Sequence, residues 1–111
     1  MPELQVDAAT TSREGSPAHR VTVRGELDSS STRQLDEVLD DLREQGARLV
    51  VLDTSEVEFV DSSGLRSIIA ATNQLEEVGG RLVIDGMSPA MTKLLELTGL
   101  ISRYRDGDAE D

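Results

Sequence analysis

Cysteine and tryptophan are absent from this chain, and phenylalanine, tyrosine and histidine occur once each. Without cysteine there is no disulfide framework and no thiolate metal site. The lone imidazole, His19, has no second histidine to share a metal with and reads as a surface strand residue. Aromatics at 2% leave neither base stacking nor a carbohydrate platform the side chains it needs. No apolar run approaches the roughly 18 residues of a membrane-spanning helix. Met1-Pro2-Glu3 does not open a signal peptide. These absences predict a cytoplasmic domain that enters no membrane. Basic residues are scarce too, 11 against 22 acids, for a formal charge of −11. Such a surface repels nucleic acid and anionic lipid and favours a basic protein partner.

What is present is aliphatic and regularly spaced. Hydrophobic residues make up 37% of 111, enough for one core though not for two. Leu4, Val6 and Ala8 alternate with polar neighbours, as do Val21 and Val23, so the chain should open with a β-hairpin turning through Thr11 to Pro17, its second strand ending at Gly25. Ser31 with Gln34 predicts a capping box for a helix whose Leu35, Val38, Leu39 and Leu42 form one stripe, stopped at Gly46. Leu49 to Leu52, apolar throughout, predicts a central strand bounded by Arg48 and Asp53. It would be covered on both faces, or on one face with a tight neighbour on the other.

Leu65, Ile68, Ile69, Thr72 and Leu75 predict a second helix closed by Gly79-Gly80, followed by a short buried strand at Leu82-Val83-Ile84. Ser88-Pro89 predicts the cap of a third helix, which carries Met91, Leu94 and Leu95 and stops at Gly99. Leu100, Ile101 and Tyr104 add a last short strand or an apolar plug. The order β-β-α-β-α-β-α describes a single α/β domain over residues 1–105, a mixed sheet of four to five strands with amphipathic helices packed on it. Residues 106–111 form an acidic tail, read as disordered.

Chemistry concentrates at Asp61-Ser62-Ser63-Gly64-Leu65, where a strand gives way to a helix. A hydroxyl there either caps the helix or accepts a phosphate at its positive end, where first-turn N–H groups are unpaired. Serine hydrolysis is excluded in practice, because the nucleophile-elbow pattern is missing and the one imidazole belongs to the hairpin. No phosphate-binding glycine loop is present, so any ATP must be held by a partner. Glu26, Asp28, Asp53 and Asp61 stand at or beyond the ends of predicted strands, and parallel strands would gather them around Ser62. Their spacing matches no known metal loop. No cofactor, no metal and no enzymatic activity are expected.

Gly25-Glu26-Leu27-Asp28, Val60-Asp61-Ser62-Ser63-Gly64-Leu65, Gly79-Gly80, Ser88-Pro89 and Leu97-Thr98-Gly99-Leu100 together resemble the STAS domain, in particular bacterial anti-sigma-factor antagonists of the partner-switching type. The resemblance runs in register from about Leu4 to Tyr104. It implies a protein that, unphosphorylated, binds an anti-sigma factor with serine kinase activity and so frees a sigma factor for a transcriptional response to stress. The kinase phosphorylates one serine and the complex parts, until a phosphatase resets it. By that resemblance Ser62 is the acceptor, with Ser63 the second candidate, and Glu26 and Asp28 belong to the partner surface, to which Asp61, Ser63, Gly64 and Arg66 are expected to contribute.

Arg66 departs from the small residue usual at its position. Four residues past Ser62, it can dock against the partner or pair with a phosphate on Ser62. A contact with the partner is the expectation. The alternative role is an unswitched STAS adaptor, either a subunit of a lipid-transport ABC system or part of a larger signalling assembly.

Overall fold

The computed structural model describes residues 3–13 and 16–104. Strands β1 (Gln5–Arg13) and β2 (Ser16–Leu27) are followed by helix α1 (Thr32–Glu44), β3 (Leu49–Val60), α2 (Ser62–Glu77), β4 (Arg81–Met87), α3 (Pro89–Thr98) and the short α4 (Ile101–Tyr104). In the sheet the strands lie in chain order, β1-β2-β3-β4. The β1–β2 pair is antiparallel, and β2–β3 and β3–β4 are parallel, so the sheet is mixed as the sequence predicts. Both parallel connections step the same way across the sheet. Right-handed crossovers then place α1 and α2 on one face.

That face holds the core. Val21, Val23 and Leu27 of β2, Val50, Leu52 and Val57 of β3 and Leu82 and Ile84 of β4 share one cluster with Leu35 and Leu39 of α1, Leu65 and Ile68 of α2, and Met91 and Leu95 of α3. The opposite face carries charge. Arg20 bridges Asp53 at 3.0 Å and Asp85 at 2.9 Å, and Arg24 bridges Asp7 and Glu56, each at 3.1 Å. The central strand is therefore helix-covered on one face only, with Val51 and Val83 paired across the other. Burial opposes ionisation of Asp53, but hydrogen bonds from Ser55 and Arg20 outweigh it and hold the carboxyl below its usual range.

Several boundaries move. The hairpin strands run on to Arg13 and from Ser16, a tighter connection than a turn from Thr11 to Pro17; Glu14 and Gly15 lie outside the described residues, as does the tail. β2 passes through Gly25 instead of ending there. Gly25 takes φ +98° at a register shift, and a Cβ on it would overlap the Glu3 carbonyl. β3 continues to Val60, since Asp53, Ser55, Glu56 and Glu58 turn away from the core while Thr54, Val57 and Val60 are buried. Ser31 makes no capping box. Its Oγ donates to the Glu26 carbonyl at 2.8 Å and accepts the Asp28 N–H at 3.0 Å, so it closes the loop before α1. Ser88 does cap α3, accepting the Met91 N–H at 3.1 Å.

The chain's last apolar residues form a plug, built as helix and not as strand. Tyr104 is buried, and its Oη lies 2.8 Å from Thr72 Oγ1. The Thr72 proton is committed to the Ile68 carbonyl, at 2.8 Å, so the tyrosine donates. Burial pushes the Tyr104 hydroxyl pKa up, with the Thr72 bond partly opposing. Tyr104→Phe is expected to lower stability by about 1 kcal/mol in urea unfolding, the ordinary net worth of one buried hydrogen bond.

Candidate functional site

The site is built where β2 and β3 end side by side. Leu27 pairs in register with Val60, and the Leu27 carbonyl accepts the Asp61 N–H at 3.3 Å. That pairing sets the loop after β2 against the start of α2. Asp61, in extended backbone conformation, is the N-cap of α2: one carboxylate oxygen accepts the N–H of Ser63 at 2.9 Å and of Gly64 at 3.3 Å. The cap is thus a carboxylate and not a serine hydroxyl. It also occupies first-turn N–H groups that the sequence pattern leaves open to a phosphate.

Ser62, the first residue of α2, is exposed, and its hydroxyl makes no hydrogen bond to a described residue. Ser63 is half-buried and faces α1. Gly64 is buried, and a Cβ there would stand 2.7 Å from Leu27 Cγ and 3.0 Å from the Leu27 carbonyl oxygen. Its part in any surface is to let α2 settle onto the end of β2.

Beside it, Asp28 organises the loop into α1. Its Oδ1 accepts the hydroxyl of Ser30 at 2.7 Å and the Ser30 N–H at 3.0 Å. Those two bonds, in that order, hold the Asp28 carboxyl below the usual carboxylate range. Its backbone carbonyl accepts the N–H of Ser31 and of Thr32, both at 3.0 Å. Asp28 is therefore ionised at neutral pH, in a loop adjoining Asp61.

The fold brings Glu26, Asp28, Asp61, Ser62, Ser63 and Gly64 to one rim. Asp53 does not join them, because it lies in mid-strand, opposite Thr22 and paired with Arg20. Arg66 projects from α2 into a groove of about 430 Å³ between α1 and α2, with Thr32, Asp36 and Asp40 across from it and Ser63 alongside. It is exposed and forms no ion pair with a described residue.

Sequence reasoning missed Phe59. It is 47% exposed at the end of β3, in register with Glu26 and two residues before Asp61. A signal for it existed: Phe59 and Val60 are adjacent in a strand, so only one can face the core. Thr32, Asp36 and Asp40 were missed because nothing in their spacing reveals which face of α1 meets α2.

A helix-backed mixed sheet with a carboxylate-capped, serine-bearing helix start at its rim defines a class, and the similarities to known proteins agree. The chain belongs to the STAS family, matching the description "Mlab, STAS domain" over residues 10–101. Within that family it is of the anti-sigma-factor-antagonist kind. It is 34% identical to the anti-sigma-B factor antagonist of Staphylococcus aureus over 82 residues, 74% of this chain and 76% of the relative. SpoIIAA has the same fold: its unphosphorylated form superposes with a TM-score of 0.75 at 22% identity, covering 96% of this chain and 94% of that one. The phosphorylated form of the Bacillus protein gives 0.71 at 25% identity, over 90% and 87%. A sulfate transporter family protein from Wolinella succinogenes shares the fold at 20% identity, with a TM-score of 0.68 over 85% and 75%. No helix among the described residues is long and apolar enough to cross a membrane.

Proposed function

We propose that this chain is a phosphorylation-switched antagonist: unmodified, it binds an anti-sigma factor that is also a serine kinase, and frees a sigma factor. The kinase transfers the γ-phosphoryl group of its own ATP to Ser62 Oγ, releasing ADP and the hydroxyl proton, and the complex dissociates. A phosphatase returns Ser62 to its hydroxyl form with water as acceptor. The partner surface is the rim of Glu26, Asp28, Asp61, Ser63 and Arg66, extended by Phe59, with Gly64 beneath it.

The observation that carries the reading is the Ser62 hydroxyl itself, exposed and without a hydrogen-bond partner among the described residues while Asp61 caps the helix. A kinase can take it without dismantling α2. Supporting the reading, a structural relative, SpoIIAA, is known in both phosphorylated and unphosphorylated forms.

Incubation with the cognate kinase and ATP should add one phosphoryl group by intact mass, and Ser62→Ala should abolish the addition while the protein still melts cooperatively. Phosphate on Ser63 would move the acceptor and keep the mechanism. Phosphate on neither would favour the second reading, an adaptor that docks by the same rim without modification. The fold shared with a sulfate transporter family protein is what speaks for that role.

A further inference from the structure

A phosphoryl group on Ser62 would arrive in a place already short of positive charge. Asp61 is its immediate neighbour, and Glu26 and Asp28 belong to the same rim. The first-turn N–H groups of Ser63 and Gly64, which would otherwise receive it, are bonded to the Asp61 carboxylate. Helix backbone therefore offers little to the new dianion. Arg66, four residues on in the same helix, is a cation within reach.

Two observations and one rule of helix geometry put Ser62 within its range. Arg66 is four residues past Ser62 in an unbroken helix, so the two side chains are neighbours on one face. Helical side chains tilt toward the N-terminus, which carries a long residue at this position over the turn that holds Ser62 and Ser63. The guanidinium also has no ion pair or hydrogen bond to a described residue. Asp36 and Asp40 lie across the groove, yet neither is ion-paired with it, and Asp40 is bonded to Arg43 at 3.3 Å.

We infer that Arg66 is an intramolecular clamp for the phosphorylated state: its guanidinium swings from the α1–α2 groove onto the phosphoryl oxygens of Ser62. Modification then does two things at the partner surface. It adds negative charge, and it withdraws the Arg66 cation from any partner. This direction differs from the simple partner contact that the sequence predicts for Arg66. The physical reason is the backward tilt of helical side chains together with the occupied helix cap.

The inference rests on Ser62 as acceptor, so its test supplies the phosphate without a kinase. Phosphoserine is incorporated at position 62 during synthesis, and its second ionisation is followed by phosphorus NMR in the wild-type, Arg66→Lys and Arg66→Gln proteins. A guanidinium on the phosphate favours the dianion. The wild-type titration should fall about half a unit below that of Arg66→Gln, roughly a threefold change in the ionisation constant, and 0.5 M salt should narrow the gap. Arg66→Lys should fall between, as a point charge without the bidentate fork. The Arg66 Nε–H resonance should move on phosphorylation. Coincident titrations in wild type and Arg66→Gln, with the Nε–H resonance unmoved, would overturn the clamp. Since Arg66 is exposed, both variants should fold, and a thermal melt checks this. Failure of every kinase to modify Ser62 would count against the function proposed above, whereas the titration decides the role of Arg66 by itself.

Discussion

Phosphorylated on Ser62, the protein should bind its anti-sigma factor about thirtyfold more weakly than the unmodified chain, an effect of roughly 2 kcal/mol. The magnitude follows from two added charges at ~7 Å from a partner carboxylate, with an effective dielectric near ~40. Steric exclusion would add to it. Ser62→Asp brings one charge and less bulk, and should weaken the complex about sevenfold for the same physical reason. Ser62→Ala should bind as the unmodified wild type does. Melting temperatures of all three should stay within about 2 °C of wild type, because the helix cap is the Asp61 carboxylate and the Ser62 hydroxyl has no hydrogen bond to a described residue to lose. Calorimetric titration alongside thermal melts tests both halves. A large fall in melting temperature with unchanged affinity would contradict the scheme.

Gly64→Ala should have the opposite signature. The new methyl would stand 2.7 Å from Leu27 Cγ and 3.0 Å from its Cδ2 and carbonyl oxygen, contacts that only a shift of α2 or of Leu27 relieves. Leu27 is fully buried, and its carbonyl also receives the Asp61 N–H, so neither partner can give freely. Overpacking of this kind costs about 2 kcal/mol. The melting temperature should fall by about 10 °C. Leu27→Ala in the same chain removes the Cγ that is struck, so the pair should recover part of the loss relative to the sum of the two single changes. No recovery, or an unchanged melt for Gly64→Ala alone, would show that the helix start is looser than the geometry requires.

Much of the fold is written in local spacing. Leu35, Leu39 and Leu42 announce α1, and Ile68, Thr72 and Leu75 announce α2, because a 3.6-residue period survives without knowledge of what lies opposite. The stops at Gly46, Gly79 and Gly99 fall where expected, each with positive φ. The length of β3 was not legible. Asp53 to Glu58 looks like a loop in one dimension, and becomes strand only because one face of the sheet is free of helices and tolerates charge. Ser31 misled for a related reason: Ser-x-x-Gln fits a capping box, but the hydroxyl is taken by a loop whose closure depends on tertiary position. At the site, Asp61 and the serines were legible because they are contiguous. The α1 side of the groove was not, since it meets Ser63 and Arg66 only through the contact of two helices, whereas Phe59 was readable from its place beside Val60 in one strand.

Because the Asp61 carboxylate caps α2, adding or removing a group on Ser62 should leave the hydrogen-bonded frame of the domain as it was. A chain carrying the group should be as durable as one without it. Quality-control proteases, which sample opened states, would have no grounds to tell the two apart. The proportion of marked molecules then decays only as fast as an enzyme erases the mark or growth dilutes it. Under the proposed switch, the carboxylate at position 61 would turn a passing kinase encounter into a record that outlasts it.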